Sequence, residues 1–226
     1  MHFRSVAISG LGPVSGLGLD IETTWDAALT GRSAIAPITA FDASGFACRM
    51  ASEVGEFKIR DFVPKHYRKA TKVMARDIEL AVVAAAGAAR DAGLTTRATL
   101  EGDDADTTYP PSRVGAHIGA GLIACDVDEL TAALARSRAD DGSFDIHRWG
   151  EGGMEQLTPL WLLKYLPNML ACHVTIIHDA QGPSNTITCA EASSGLSLGE
   201  SLRVIQRGAA EACFCGGAES KLNPMA

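Results

Sequence analysis

The stretch GPSNTITCAEASSGLSLGESLRVIQRGAAEACFCGGAES, residues 182–220, decides the fold of this chain. A β-prone run from Asn185 to Thr188 enters a helical pattern near Glu191, and Gly208 ends that helix. A second strand, Ala212 to Cys215, then runs into a glycine pair. Within the helix, small and apolar residues recur at three- and four-residue spacing and predict one close-packing stripe: Gly195, Leu198, Gly199, Leu202 and Ile205. Strand, helix and strand in this order predict an α/β layered fold.

The alternation continues upstream of this stretch. The expected strands are Ser5–Ser9, Phe46–Val54 and Val114–Ile118, and Val174–Ile177 is a further β-branched run. The expected helices are Ile21–Leu29, with Asp20 as N-cap, and Ala70–Ala92, which Gly93 stops. Residues 126–168 are expected to form helices and loops over the core. The chain has no internal repeat or low-complexity linker, so residues 1–226 are interpreted as one domain.

Composition excludes several functions. A formal net charge of -7 argues against nucleic acid as a partner. The longest run of acidic residues, Glu101–Asp106, is interpreted as a solvated loop. The N-terminus lacks the apolar core of a signal peptide, and no apolar run approaches the roughly 20 residues of a membrane span, which predicts a cytoplasmic protein. The six cysteines show no metal-ligand spacing and are expected to be mostly buried and reduced; neither a metal nor a cofactor is expected.

The glycine-rich turn GLGPVSGLG, residues 10–18, invites comparison with a dinucleotide-binding loop. The third glycine falls one residue late, at Gly16, and Pro13 lies inside the turn. No acidic residue closes a second strand at the distance that such a site needs. The turn is therefore interpreted as a tight strand-to-helix connection.

Residues 182–219 resemble the nucleophile segment of the β-ketoacyl-acyl-carrier-protein synthases, roughly G-P-x-x-x-I-x-T-A-C-A-[ST]-G and a helix, followed by a strand ending G-G-[AT]-E. Counting forward from Pro183 and backward from Gly199 places the nucleophilic cysteine of the family at Glu191, without a gap. Other segments agree with the family pattern: Val6–Gly16, Gly31–Ile38, Ala81–Leu94, Arg113–Gly121 and Thr158–Val174. The resemblance thus covers essentially the whole chain.

The resemblance implies a thiolase-like fold, of which this chain would be the N-terminal αβα half, a mixed sheet covered by helices. The sequence ends abruptly after LNPMA, and the C-terminal half, where the family keeps two catalytic histidines and a lysine, is interpreted as absent. Residues 126–168 would form a cap and part of a dimer interface. Leu122, Trp161 and Leu198 would face an acyl chain. The strand Asn185–Thr188 would pair with its twin across a dimer two-fold axis.

Glu191 changes the chemistry that the resemblance implies. The family uses a cysteine thiolate at a helix N-terminus to take an acyl group from a carrier protein, whereas a carboxylate is a weak nucleophile toward thioesters. Two roles remain open for Glu191. It is either a favourable charge at a helix N-terminus in a site that has lost its catalytic activity, or a residue that takes part in a reaction. In a further alternative, Cys189 acts as the nucleophile in place of residue 191. Otherwise Cys189 is a small buried thiol without a catalytic role.

Two function classes follow from the resemblance. The first is a non-condensing, chain-length-factor-like partner in fatty-acid or polyketide synthesis. It would dock an acyl carrier protein bearing an acyl or malonyl thioester and form a homodimer or a heterodimer with a ketosynthase subunit. The second is an acyltransferase-type enzyme, either a malonyl-carrier-protein decarboxylase or an atypical synthase, completed by a C-terminal half. Whether the chain is an enzyme is left open by its sequence.

Overall fold

The structure, a computed structural model, describes residues 5–100 and 106–226. Apart from Asp106, the acidic stretch predicted as a solvated loop lies outside the described residues. The helices in chain order are α1 (Ile21–Leu29), α2 (Arg76–Asp91), α3 (Val127–Arg136), α4 (Ile146–Arg148), α5 (Met169–His178) and α6 (Ser193–Gln206). The strands are β1 (Ile35–Pro37), β2 (Met50–Ser52), β3 (Val114–Gly119), β4 (Ser184–Ile187) and β5 (Ala212–Gly217).

The centre of the molecule is a three-stranded parallel sheet in the order β4-β3-β5. Helices α2 and α5 pack on one face of this sheet, and α6 crosses all three strands on the other face. The expected αβα layering is therefore confirmed. Among the described residues, antiparallel pairing occurs in a separate hairpin of β1 and β2 and in two isolated bridges, so the described part of the main sheet is parallel rather than mixed.

The layer of α2 and α5 is held by apolar packing. Ala85 and Ala89 of α2 and Val174 of α5 meet Ala116 of β3 and Phe214 of β5 in one buried cluster. Small alanines on α2 let the helix approach the sheet closely, and the large Phe214 ring fills the remaining space. This cluster fixes the orientation of β3 and β5, whose carboxyl ends carry the candidate site.

Three sequence predictions of strands need correction. Ser5–Ser9 forms no strand, and Ile8 is 69% exposed, so this run is not part of the described sheet. Of Phe46–Val54, only β2 is a strand. The β-branched run Val174–Ile177 lies inside α5, where Leu170, Val174 and Ile177 share the buried face at helical spacing.

The helix boundaries follow local signals. The Asp20 carboxylate accepts a hydrogen bond from Thr23 N–H, which confirms the predicted N-cap of α1. The long predicted helix is shorter than expected, because Ala70–Val73 forms a separate 3₁₀ turn and α2 begins at Arg76. Gly93 follows α2 with φ of 61°, as the predicted stop requires.

The glycine turn after Ser9 packs against α2. An added Cβ at Gly12 would lie 1.9 Å from the Ala84 carbonyl oxygen, and one at Gly10 would lie 2.3 Å from that of Ala88. Close backbone approach thus explains both glycines, in agreement with a tight connection rather than a phosphate loop.

The predicted packing stripe of α6 faces outward. Ser193, Ser197, Ser201 and Val204 form the buried face instead, while Leu198 and Leu202 are exposed. Nothing lies within 4 Å of a Cβ added at Gly195 or Gly199. The reason is steric: the sheet under α6 presents glycines and brings the helix so close that only serines fit between them.

Residues 126–168 contain α3, α4, a π-helical segment (Trp149–Gly153) and two 3₁₀ turns (Met154–Gln156 and Trp161–Lys164), as the prediction of helices and loops requires. Their role as a cap or dimer interface stays a prediction. Within the described ranges, no helix is both long and apolar enough to cross a membrane.

Candidate functional site

The candidate site is the sharp connection between β4 and α6. Ile187 ends β4, and the Thr188 hydroxyl donates to the Ala120 carbonyl oxygen at 2.8 Å, tying the connection to the loop after β3. Ala190 then adopts φ of 45°, in the left-handed region that alanine rarely occupies. A non-glycine residue in this region costs on the order of 1 kcal/mol and persists only where its surroundings impose it. The turn therefore presents the next residue, Glu191, at its tip.

Ser193 imposes this backbone conformation. Its buried hydroxyl accepts a hydrogen bond from Cys189 N–H at 2.8 Å and donates one to the Ala190 carbonyl oxygen at 2.6 Å. One side chain therefore bonds the backbone on both sides of the strained residue. The serine matches the [ST] position of the sequence pattern, which was the available signal for this role.

We expect Ser193→Ala to lower the free energy of unfolding by about 1–3 kcal/mol, because it leaves Cys189 N–H unpaired and frees Ala190. The measurement is urea unfolding followed by circular dichroism. Ser194→Ala is the matched control, since Ser194 is exposed. Equal unfolding midpoints for the two variants would contradict the role given to Ser193.

Glycines at the carboxyl ends of the strands make room for the turn. A Cβ added at Gly119, the last residue of β3, would lie 2.6 Å from the Ser193 carbonyl carbon. A Cβ added at Gly217 of β5 would lie 3.0 Å from the Ser194 Cβ. The first turn of α6 therefore rests directly on the ends of β3 and β5. In open parallel sheets, this edge is where ligands commonly bind.

Glu191 itself is exposed and is not the helix cap. The N-cap of α6 is Ala192, and no side chain caps this helix. Within residues 5–100 and 106–226, the Glu191 carboxylate makes no hydrogen bond or ion pair. It still lies one residue before the N-cap of α6, where the helix dipole favours a negative charge.

Three charged residues lie on the neighbouring wall of the site. Lys221 Nζ and Glu219 Oε1 are 2.8 Å apart, and an added Cβ at Gly121 would lie 2.3 Å from the same oxygen. The hydrogen bond to Glu219 raises the pKa of the Lys221 ammonium, and the charges of Asp77 and Glu191 add to this shift. Lys221 is therefore a cation placed between carboxylates, which the sequence analysis did not identify.

Asp77, in the first turn of α2, is 4% exposed. It accepts a hydrogen bond from Ser220 N–H at 3.1 Å. Burial raises the pKa of Asp77 to about 6, and the charge of Glu219 adds to the rise. Asp77 thus fastens the segment after β5 to α2. The sequence signal for it was a carboxylate on the buried face of an alanine-rich helix.

The residues predicted to line an acyl tunnel differ in their exposure to solvent in the described structure. Leu122 is 79% exposed in the loop after β3, and Leu198 is 45% exposed on the outer face of α6. Trp161 is half-buried, packs on Tyr165 with ring centroids 5.1 Å apart and borders the main core cluster. Their assignment to an acyl chain therefore stays a prediction.

The cysteines are more exposed to solvent than the sequence predicted. Cys48, Cys189 and Cys215 are exposed, so the expectation of mostly buried thiols was wrong. All six cysteines are free. Across the described ranges, no three His, Cys, Asp or Glu side chains are placed to hold a metal ion.

His117, His173 and His178 are buried and each is hydrogen-bonded through Nδ1, to Ser201, Tyr67 and Thr96 respectively. They lie inside the packed layers of the fold. Among their hydrogen-bond partners, none belongs to the turn that carries Glu191.

Comparison with known proteins identifies the relatives of this chain. A sequence model of the family described as "Beta-ketoacyl synthase, N-terminal domain" matches residues 3–226. The chain is 30% identical over 223 residues to 3-oxoacyl-[acyl-carrier-protein] synthase 2 of Staphylococcus aureus (strain N315), covering 99% of this chain and 47% of that protein. The chain thus spans about half the length of the curated relatives it matches.

Solved structures share the fold. A structure described as the ishigamide ketosynthase/chain length factor superposes with a TM-score of 0.69 at 25% identity, over 97% of this chain and 48% of that chain. A type II polyketide ketosynthase in complex with its acyl-carrier protein superposes with a TM-score of 0.67 at 16% identity, over 96% and 51%. At that identity, the second likeness supports the fold alone.

Proposed function

We propose, from the premise that this chain belongs to the β-ketoacyl synthase family, that it serves as a non-condensing, chain-length-factor-like partner in fatty-acid or polyketide synthesis. One observation carries the proposal: the residue at the tip of the strained turn before α6 is Glu191. The turn has the form of a nucleophile elbow, a sharp strand-to-helix turn that presents a nucleophile at its tip, yet the side chain at the tip is the carboxylate of Glu191.

The chemistry of a carboxylate supports this role. A thiolate at a helix N-terminus attacks a thioester and forms a new thioester, which remains a good acyl donor. Attack by Glu191 would form a mixed anhydride, which water hydrolyses readily. Glu191 therefore suits a site that holds its shape without taking an acyl group.

Two surfaces support assembly with a second subunit or a second half-fold. Strand β4 lies at the edge of the described sheet, with Ser184 and Asn185 exposed. The outer face of α6 presents Leu198 and Leu202 beside two glycines with open space around them. Apolar faces and open strand edges are surfaces that proteins normally cover.

We propose that an acyl carrier protein with its acyl or malonyl thioester docks on the assembled protein. The partner would be a second copy or a ketosynthase subunit with an intact cysteine, in the cytoplasm. Leu122, Trp161 and Leu198 would approach the acyl chain in that assembly. Residues 126–168 would then form the cap and part of the interface.

Replacing Glu191 by cysteine tests whether the turn is a nucleophile elbow. A thiol at this helix N-terminus should have a lowered pKa and react with iodoacetamide on the order of tenfold faster at pH 7 than an ordinary exposed thiol. Mass spectrometry of the digested chain measures the rate at each cysteine. Cys189, two residues away and exposed, is the internal control.

An equal rate at positions 189 and 191 would contradict the elbow. In the whole protein, we further expect Glu191→Cys to gain a covalent acyl group from an acyl-carrier thioester, while the unaltered protein gains none. Acylation of Cys189 in the unaltered protein would contradict the non-condensing role. Conversion of malonyl-carrier protein to acetyl-carrier protein by the unaltered protein would indicate a decarboxylase instead.

A further inference from the structure

Two free cysteines, Cys213 and Cys215, lie on β5 on either side of Phe214. Phe214 is buried in the apolar cluster that α2 and α5 form with the sheet. Because successive side chains of a strand point to opposite faces, both cysteines point to the face that α6 covers. The two thiols therefore lie on the same face of one strand, two residues apart.

Strand β3 fixes the surroundings of the two thiols. Gly115 is the register partner of Cys213, and an added Cβ at Gly115 would lie 3.0 Å from Cys213 Sγ and 3.7 Å from His117 Cε1. The Cys213 sulfur thus occupies space that a side chain at position 115 would fill. His117 is the register partner of Cys215, and its Nδ1 is hydrogen-bonded to the Ser201 hydroxyl at 3.0 Å.

Both sulfurs lie in this layer between the sheet and α6. Burial raises the pKa of the Cys213 thiol to about 11, and a charge on Cys215 adds to the rise. Cys215 is exposed as a residue, but burial of its sulfur raises its pKa as well. Hydrogen bonding with the Ser201 hydroxyl opposes the rise at both sulfurs. The two thiols therefore lie beside one hydroxyl and influence each other.

The pair is accessible to a small ion. Cys215 is exposed and Cys213 is partly exposed. Strand β5 is paired with β3 along one side and lies at an edge of the described sheet. An ion can therefore reach the two sulfurs along this edge without separating β5 from β3.

The spacing of the two cysteines favours a bridging ion over a disulfide bond. Alternate Cα atoms of a strand are about 6.6 Å apart, near the upper limit of roughly 6.8 Å for a disulfide. Two metal–sulfur bonds of about 2.3 Å each, the length found for zinc, allow the sulfurs to stand about 4.6 Å apart. The strand therefore needs less distortion to hold a metal ion between two thiolates than to close a disulfide.

The ligands select the class of ion. Thiolates are soft ligands and favour soft ions such as Cu(I). Across residues 5–100 and 106–226, no three His, Cys, Asp or Glu side chains are placed to hold an ion together, so the pair offers two sulfurs without a third such ligand. A tetrahedral zinc ion would lack two of its protein ligands at this pair. A soft ion that accepts two ligands fits it.

We propose that Cys213 and Cys215 together bind one soft metal ion, with Cu(I) as the probe of this class. Each thiol gives its proton to solvent and forms one sulfur–metal bond, so no electron is transferred. Glu191, Glu219 and Lys221 contribute no ligand. The site therefore stands or falls independently of the proposed partner role.

Competition with bicinchoninate under nitrogen, with ascorbate to keep copper as Cu(I), tests the site. We expect the unaltered chain to withdraw one Cu(I) per chain from the coloured bicinchoninate complex. Cys213→Ser and Cys215→Ser should each weaken this binding about a hundredfold or more, because a single thiolate remains. Cys48→Ser removes an exposed thiol outside the pair and is the matched control, so its affinity should equal that of the unaltered chain.

X-ray absorption at the copper edge counts the ligands. The loaded chain should show two sulfur neighbours around copper and no nitrogen or oxygen neighbour. Circular dichroism confirms that the serine variants are folded. Unchanged affinity in folded Cys213→Ser or Cys215→Ser would overturn the proposal, as would an equal loss in Cys48→Ser. A copper ion with a single sulfur neighbour would overturn it as well.

Discussion

Replacing Gly119 by alanine should lower the free energy of unfolding of this chain by about 3 kcal/mol, the upper part of the range for overpacked sites. The new Cβ would lie 2.6 Å from the Ser193 carbonyl carbon, 2.7 Å from Ser194 N and 2.9 Å from the Ser193 carbonyl oxygen. All three atoms belong to the backbone, so no side-chain rotation relieves the contact. Helix α6 must move away from β3.

A loss of about 3 kcal/mol corresponds to a fall in Tm of roughly 6–12 °C for a chain of this size. Differential scanning calorimetry measures the fall. Gly199→Ala in the same helix is the matched control, since nothing lies within 4 Å of its added Cβ. That substitution should raise stability by about 0.5–1 kcal/mol through helix propensity.

The same substitution also tests the site. In a Glu191→Cys background, Gly119→Ala should abolish the fast alkylation at position 191, because the displaced helix no longer presents its N-terminus to the thiol. Gly199→Ala in that background should leave the fast alkylation unchanged. A Gly119→Ala chain with unchanged Tm and unchanged alkylation would show that α6 does not rest on β3 as described.

Stability between pH 4.5 and 5.5 should depend on two buried histidines and one buried carboxyl with opposite signs. Burial lowers the pKa of His173 and of His178 to about 4, whereas burial raises the pKa of Asp77 to about 6. In this window, the unfolded chain protonates both imidazoles and the native chain does not. The native chain, in contrast, protonates Asp77 and the unfolded chain does not.

The protons bound by these three groups give the sign of the pH dependence. The unfolded state binds about two more protons at the histidines and about one fewer at the carboxyl. The three groups together should therefore raise stability with pH by about 1.4 kcal/mol per unit. Urea unfolding at several pH values measures this slope.

Two variants separate the contributions. His178→Asn keeps a polar atom at the position of Nδ1, which bonds the Thr96 hydroxyl at 2.8 Å, but removes the imidazole. It should reduce the slope by about 1.4 kcal/mol per unit, and Asp77→Asn should increase it by the same amount. Shifts in the same direction for both variants would contradict the assignment, whatever their effect on stability at pH 7.

The candidate site illustrates how far sequence reasoning reaches. The pattern around residue 191 placed Glu191 between a strand and a helix, and the structure has β4 and α6 on either side of it. The left-handed conformation of Ala190 could not be inferred from its own residue type, since alanine disfavours it. It is imposed by the hydroxyl of Ser193, three residues later in the chain.

The face of α6 that packs on the sheet was assigned wrongly for an instructive reason. Leucines and glycines at helical spacing are usually a buried stripe, and serines usually face water. Here Gly119 and Gly217 let the first turn of α6 approach the strands so closely that the serines are buried and the leucines exposed. Gly119 lies more than seventy positions before the helix in the sequence.

The sequence alone determined the alternation of strands and helices, the family resemblance and the replacement of a nucleophile by Glu191, because these depend on local pattern and position. Only the tertiary structure decided which face of α6 is buried, that Ser5–Ser9 joins no sheet and how Lys221, Glu219 and Asp77 come to lie together. Each of these outcomes depends on contacts between segments far apart in the chain. Their energies follow from close packing and from the desolvation of charge, which no local pattern records.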